Sequence, residues 1–151
     1  SRTKQNLFVA YKRQTSWKDV IDVNYRYSWD DWGIRSNTVD LRYRWDFEEV
    51  WYLQPHLRYY QQSAADFYQR FLIAGAPLPS HASADYRLGD LTGLTFGLKY
   101  GRPLAKEREW NVKVEYYQQS GDEPAFQPGS LANVDLFPDV KAVVVQFGFS
   151  F

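Results

Sequence analysis

Apolar and polar side chains alternate along most of this chain with a period of two, the spacing of a β-strand with two different faces. Seven such runs are visible. Leu7, Val9 and Tyr11 alternate with Phe8, Ala10 and Lys12. Ile21, Val23, Tyr25, Tyr27 and Trp29 alternate with Asp22, Asn24, Arg26 and Ser28. Val39, Leu41, Tyr43, Trp45 and Phe47 face away from Asp40, Arg42, Arg44 and Asp46. Trp51, Leu53, Leu57 and Tyr59 oppose Tyr52, Gln54, His56 and Arg58. Leu94, Phe96, Leu98 and Tyr100 oppose Gly93, Thr95, Gly97 and Lys99. Trp110, Val112, Val114 and Tyr116 oppose Asn111, Lys113, Glu115 and Tyr117. The last run sets Val143, Val145, Phe147, Phe149 and Phe151 against Val144, Gln146, Gly148 and Ser150. The pattern predicts an all-β, antiparallel chain of about seven or eight strands. Each run has about the length that crosses a bilayer, roughly 9–11 residues.

Helical spacing competes only over 64–73, where Phe67, Phe71 and Tyr68 could share one side of a short helix. The links differ in length. Those at Thr15–Lys18, Glu48–Val50 and Pro103–Arg108 are short, that near Asp30–Ser36 is intermediate, and 63–84 and 120–139 are long. If the last strand descends, every short link falls on one side and every longer one on the other, the asymmetry of transmembrane barrels. Pro55 interrupts the fourth run and predicts a bulge or a sheet edge, because proline cannot donate to a ladder.

Composition refines this picture. The chain has 151 residues, 18 basic against 18 acidic, which argues against a nucleic-acid partner. The mean hydropathy of -0.56 resembles a soluble protein. A barrel wall produces the same value, because only alternate residues meet lipid. No apolar stretch is long enough for a transmembrane helix. There is no cysteine, hence no disulfide or thiolate metal site. The chain opens without an initiator Met or an export signal, so an exported barrel would be present as a mature form or a fragment.

A soluble β-sandwich also alternates. Three features favour lipid instead. Aromatics make up 19% of the chain and sort by height. Trp45, Phe47, Trp51, Tyr100, Trp110, Phe149 and Phe151 fall near one end of their runs, and Tyr27, Trp29, Tyr59 and Tyr116 near the other. Leu53, Leu57, Val112 and Val114 lie between, and only Tyr25 is out of place. Girdles of aromatic rings flanking an aliphatic band are expected at the two headgroup levels. The outward positions named above also carry no charge, whereas the opposite face carries both signs. Finally, the last run ends on Phe151. The positions Val143, Val145, Phe147, Phe149 and Phe151 resemble the C-terminal assembly signal of bacterial outer-membrane proteins, which implies the insertion machinery as a partner.

A second resemblance rests on His56-Leu57-Arg58-Tyr59-Tyr60-Gln61-Gln62-Ser63-Ala64-Ala65-Asp66-Phe67-Tyr68, then Ala82-Ser83-Ala84-Asp85-Tyr86-Arg87-Leu88, then Gly97-Leu98-Lys99-Tyr100-Gly101. These segments resemble the C-terminal half of a family of bacterial outer-membrane β-barrel proteins known only as a domain of unknown function. The resemblance implies a Gram-negative outer-membrane location and a larger barrel, and no reaction. The odd run count fits further strands, or an eighth strand near 67–73 or 81–88, since bacterial single-chain barrels have even numbers.

The inward face would carry Lys12, Asp22, Arg26, Asp40, Arg42, Arg44, Asp46, His56, Arg58, Lys99, Lys113 and Glu115. They predict either a polar channel biased toward anions by Arg42, Arg44 and Arg58, or a salt-bridged interior that fills a narrow barrel or holds a plug. Neighbouring Asp40/Arg42 and Arg44/Asp46 favour internal pairing. Phe67, Tyr68, Phe71 and Leu72 give the first long loop an apolar surface. That surface could constrict the lumen, cap it or meet a partner protein, or it could pack on the second loop through Phe126, Leu131 and Leu136. No catalytic order, metal spacing or cofactor motif is visible: His56 and His81 lack ligand partners, and Asp66, Asp85 and Asp90 are unpaired in sequence. A porin-like pore or conduit in the outer membrane is the leading expectation. A non-conducting scaffold for a lipoprotein or redox partner comes next, and a membrane enzyme last.

Overall fold

The structure, a computed structural model, describes residues 2–48, 50–69, 75, 80–104, 108–121 and 139–151. Each alternating run forms a strand: β1 (Lys4–Gln14), β2 (Val20–Asp30), β3 (Arg35–Phe47), β4 (Trp51–Gln62), β5 (Leu91–Pro103), β6 (Glu109–Gly121) and β7 (Val140–Ser150). They form one seven-stranded antiparallel sheet in sequence order, β1 to β7. Every neighbour in the chain is thus a neighbour in space. The two edge strands are not paired with each other, so the sheet is open among the described residues.

No eighth strand appears among the described residues. In the described parts of 67–73 and 81–88 the chain makes an isolated bridge between Tyr68 and Ser83 and a 3-10 helix at Tyr86–Leu88. Residues 64–69 are not helical, because their backbone is spent elsewhere. The amides of Ala65 and Asp66 donate to the carbonyls of Leu88 and Trp32, at 2.8 and 2.9 Å. Phe71, Leu72 and the second loop over 122–138 lie outside the described residues.

Pro55 makes neither a bulge nor an edge. β4 is internal, and its register with β3 is the same on both sides of the proline: Arg42 faces His56 and Trp45 faces Leu53. Pairing lapses only between these points, while Pro55 keeps its place opposite Leu98 on β5. The missing donor is therefore confined to the β3 side.

At one end the links are tight turns. Thr15 N–H donates to the Asp19 carbonyl at 2.7 Å, Val50 to Phe47 at 2.9 Å and Leu104 to Arg108 at 2.6 Å. Lys18 and Glu48 close two of these turns with φ of 66° and 49°. At the other end the β2–β3 link, expected to be intermediate, is as short as these because both strands extend to leave only 31–34. The first long loop runs further than its sequence suggested, over 63–90.

Burial in this sheet is inverted. Among the described residues the buried apolar ones are Ile34, Tyr52 and Ala65, whereas Ser28, Ser36 and Asp40 are buried polar ones. The apolar side is the bare side: Leu57 is 45% exposed, Phe96 58% and Phe147 81%. An ordinary core would place these residues inside.

Candidate functional site

The register brings the charged residues into rows. One row runs across the polar face from Lys12 through Asp22, Arg42, His56, Gly97 and Glu115. Alternation puts Arg26, Asp40, Arg44, Asp46, Arg58, Lys99 and Lys113 on the same side of the sheet. The expected neighbours do pair: Arg42 Nη2 lies 3.0 Å from Asp40 Oδ1, and Arg44 Nη2 2.9 Å from Asp46 Oδ1.

At the centre is a contact that sequence did not foretell. His56 Nδ1 is 2.8 Å from Glu115 Oε1, and His56 Nε2 is 3.0 Å from Asp40 Oδ2. Lys113 Nζ holds the second Glu115 oxygen at 2.8 Å. The result is a polar chain, Arg42–Asp40–His56–Glu115–Lys113, joining β3, β4 and β6 across β5. It depends on Gly97, which separates His56 from Glu115 in the row. A Cβ there would stand 2.8 Å from Glu115 Cγ, so only glycine lets that side chain cross the strand. Asp40 Oδ1 is buried and has the Arg42 ion pair but no well-directed hydrogen bond.

Tyr52 does the same one level lower. It is 1% exposed, and its ring occupies the space that a Cβ on Gly101 would need. Its hydroxyl donates to Glu109 Oε1 at 2.6 Å. The Arg44 guanidinium stacks 3.7 Å over its ring, a cation–π contact. Asn111 on β6 likewise fills the space beside Gly148 on β7. The available signal was a bulky polar-face residue opposite a strand glycine, legible only once the pairing is known.

Replacing His56 with Ala leaves Asp40 and Glu115 without their shared partner. A loss of about 1–3 kcal/mol is expected, the cost of stranding partly buried hydrogen-bonding groups. Urea unfolding followed by tryptophan fluorescence measures it, and His56→Gln should recover part of the loss.

The opposite face carries the aromatic residues singled out in the sequence. Phe47 stacks on Trp51 at 3.9 Å, Trp51 meets Tyr100 at 5.8 Å, and Tyr100 meets Trp110 at 5.4 Å. Trp110 is paired with Phe149 in the ladder, and Phe149 stacks with Phe151 at 6.2 Å. Trp45 meets Tyr43 edge to face at 5.1 Å beside this row. Toward the loop end lie Trp29, Tyr59 and Tyr116. Tyrosine hydroxyls reach polar groups past the apolar zone: Tyr25 to Asn37 at 2.7 Å, Tyr116 to Gln118 at 3.3 Å, and Tyr43 to Asp19 at 2.9 Å. The first of these accounts for Tyr25, the misfit of the sequence pattern.

The apolar zone also crosses the hydrogen-bonded rows obliquely. Val9, the middle of the zone on β1, leads by register through Tyr25, Val39, Tyr59, Leu94 and Gln118 to Lys141. The middle of the zone on β7 is Phe147, six residues further along after six strand steps. One residue per strand, with about 3.4 Å per residue and 4.8 Å between strands, is a tilt of roughly 35°.

The described part of the first long loop packs on the β2–β3 turn, a contact not considered from sequence. Phe67 meets Trp32 edge to face at 5.2 Å, Asp66 sits where a Gly33 side chain would be, and Tyr68 lies against Gly89. Arg87 donates to Asp85 at 2.9 and 2.6 Å and holds that carboxyl below its usual range.

These features define an all-β antiparallel wall with one charged, crosslinked face and one bare apolar face. The chain belongs to the family described as Protein of unknown function (DUF3570), whose model matches residues 1–151. No curated protein and no solved structure matches it.

Proposed function

We propose that this chain is part of the wall of a β-barrel in a bacterial outer membrane, and that the barrel is a pore or conduit for solutes or for a threaded component. The inverted burial carries the reading. A sheet that exposes its apolar side and crowds most of its charges on the other suits lipid outside and water inside. The oblique apolar zone adds to it, since strands of membrane barrels tilt by about 35–45°. A soluble sheet covered by a second layer has no plane for such a zone to follow. In lipid both open edges must be paired, so β1 and β7 need further strands beyond this sheet. The terminal strand, with Phe151, would serve as the assembly signal.

Single-channel recording of the full-length protein in planar bilayers tests this. Discrete conductance steps are expected. Absence of steps, with no companion protein in a mild-detergent purification, would end the pore and conduit readings together. The crosslinking over β3 to β6 favours one second reading, a non-conducting scaffold that binds a lipoprotein or redox partner. It predicts a stoichiometric companion and no current.

A further inference from the structure

Four of the polar-face cations are engaged by carboxylates. Arg42 holds Asp40, Arg44 holds Asp46, Lys113 holds Glu115, and Lys99 stands 3.8 Å from Glu109. Two guanidinium groups differ. Arg58 has no ion-pair or hydrogen-bond partner among the described residues. Arg26 has only the ring of Phe8, 5.5 Å from its Cζ. That contact also accounts for Phe8, an aromatic on the charged side directly opposite Arg26 in the ladder.

Both arginines line one hollow of about 340 Å³, together with Asn24, Thr38, Asp40 and Arg42. They approach from opposite sides. Arg26 pairs with Thr38 on β3, and Arg58 pairs with Asp40, the next residue of β3 on that face. Their Cα atoms are therefore roughly 12 Å apart, two strand spacings across and one side-chain step along. A group held between them meets both guanidinium forks. The one carboxylate in the hollow, Asp40, is already shared between Arg42 and His56. Unpaired like charges facing the same space are unfavourable unless something answers them.

We infer that this hollow binds a phosphate-type oxyanion, held by Arg26 and Arg58 and assisted by Thr38 and Asn24. Planar guanidinium forks suit the oxygens of phosphate through paired, charge-assisted hydrogen bonds. The ligand class is a small solute bearing a phosphate group, or phosphate itself. The inference takes from the proposed function only that the charged face meets water. It gives the polar side a selective site where the pore reading alone gives a general anion bias.

The test is calorimetric titration of the full-length protein, in zwitterionic detergent, with inorganic phosphate and with pyrophosphate against a chloride background. Wild-type protein is expected to bind one of them. Arg26→Gln and Arg58→Gln should each weaken binding by about tenfold or more, and the double variant should abolish it. Arg58→Lys, which keeps the charge and loses the fork, should fall between. Because neither arginine holds a carboxylate, the double variant should melt no lower than wild type, and that scan separates lost binding from lost fold. Heatless titration of folded wild-type protein would overturn the inference, as would undiminished binding by the double variant. Planar-bilayer recording keeps the two readings apart: current without phosphate binding removes this inference alone, and phosphate binding without current removes the pore alone.

Discussion

Placing arginine at Val114 is expected to cost about 2–4 kcal/mol in a phospholipid bilayer, while arginine at Gln118 costs about 0–1 kcal/mol. Val114 lies on the outward face of β6 near the middle of its apolar stretch, and Gln118 lies two outward positions beyond it. The protein already contains a control. Arg13 of β1 stands at the same register level as Val114, along a line through Ile21, Tyr43, Pro55 and Leu98 whose pairing lapses only between Tyr43 and Pro55. The oblique apolar zone takes β1 out of its range at that point. One row therefore tolerates arginine at one end and should reject it at the other. Urea unfolding in vesicles, read by tryptophan fluorescence, measures both variants. Equal costs at Val114 and Gln118 would remove the membrane plane from the account.

The second large effect is expected inside. Gly101→Leu drives a side chain into the Tyr52 ring, and the backbone of an internal strand has little room to yield. Overpacking costs about 1–3 kcal/mol. Displacing the Tyr52 hydroxyl from Glu109 adds roughly 1.5–3 kcal/mol, as for a hydrogen bond to a charged group. The sum is about 2.5–6 kcal/mol. Tyr52→Ala in the same chain removes the obstacle, so the double variant should be more stable than Gly101→Leu alone. If the two changes simply add, the ring does not occupy that space.

Strands and faces were legible in the sequence because both follow from local alternation. Leu41 and Arg42 sit on opposite sides whatever else the chain does. The pairs Asp40/Arg42 and Arg44/Asp46 were legible for the same reason, being two residues apart on one strand. The link of His56 to Asp40 and Glu115 was not. It requires β4 to sit in one register against β3, and β6 in one register against β5, across a loop of 63–90 whose length says nothing about register. Tyr52 was hidden likewise, since its partner Glu109 is distant in sequence and lies beyond Gly101 in space. The loop aromatics were visible as apolar, but Trp32 as the partner of Phe67 depended on where the β2–β3 turn ends.

The glycines of the last strands have a consequence for how the wall is built. Each of the three final ladders contains a directly opposed pair in which a bulky side chain fills the space beside a glycine: Tyr52 with Gly101, Glu115 with Gly97, and Asn111 with Gly148. A slip of one residue would turn every side chain to the wrong face. A slip of two keeps the faces, and alternation alone would not detect it. It would, however, set Tyr52 against Lys99 or Pro103, Glu115 against Thr95 or Lys99, and Asn111 against Gln146 or Ser150. These pairs act as proofreading steps, and the strands of the first half contain no glycine to supply one. Register is thus most tightly specified in the ladders from β4 to β7, and β1 to β3 are aligned only through their pairing to that half.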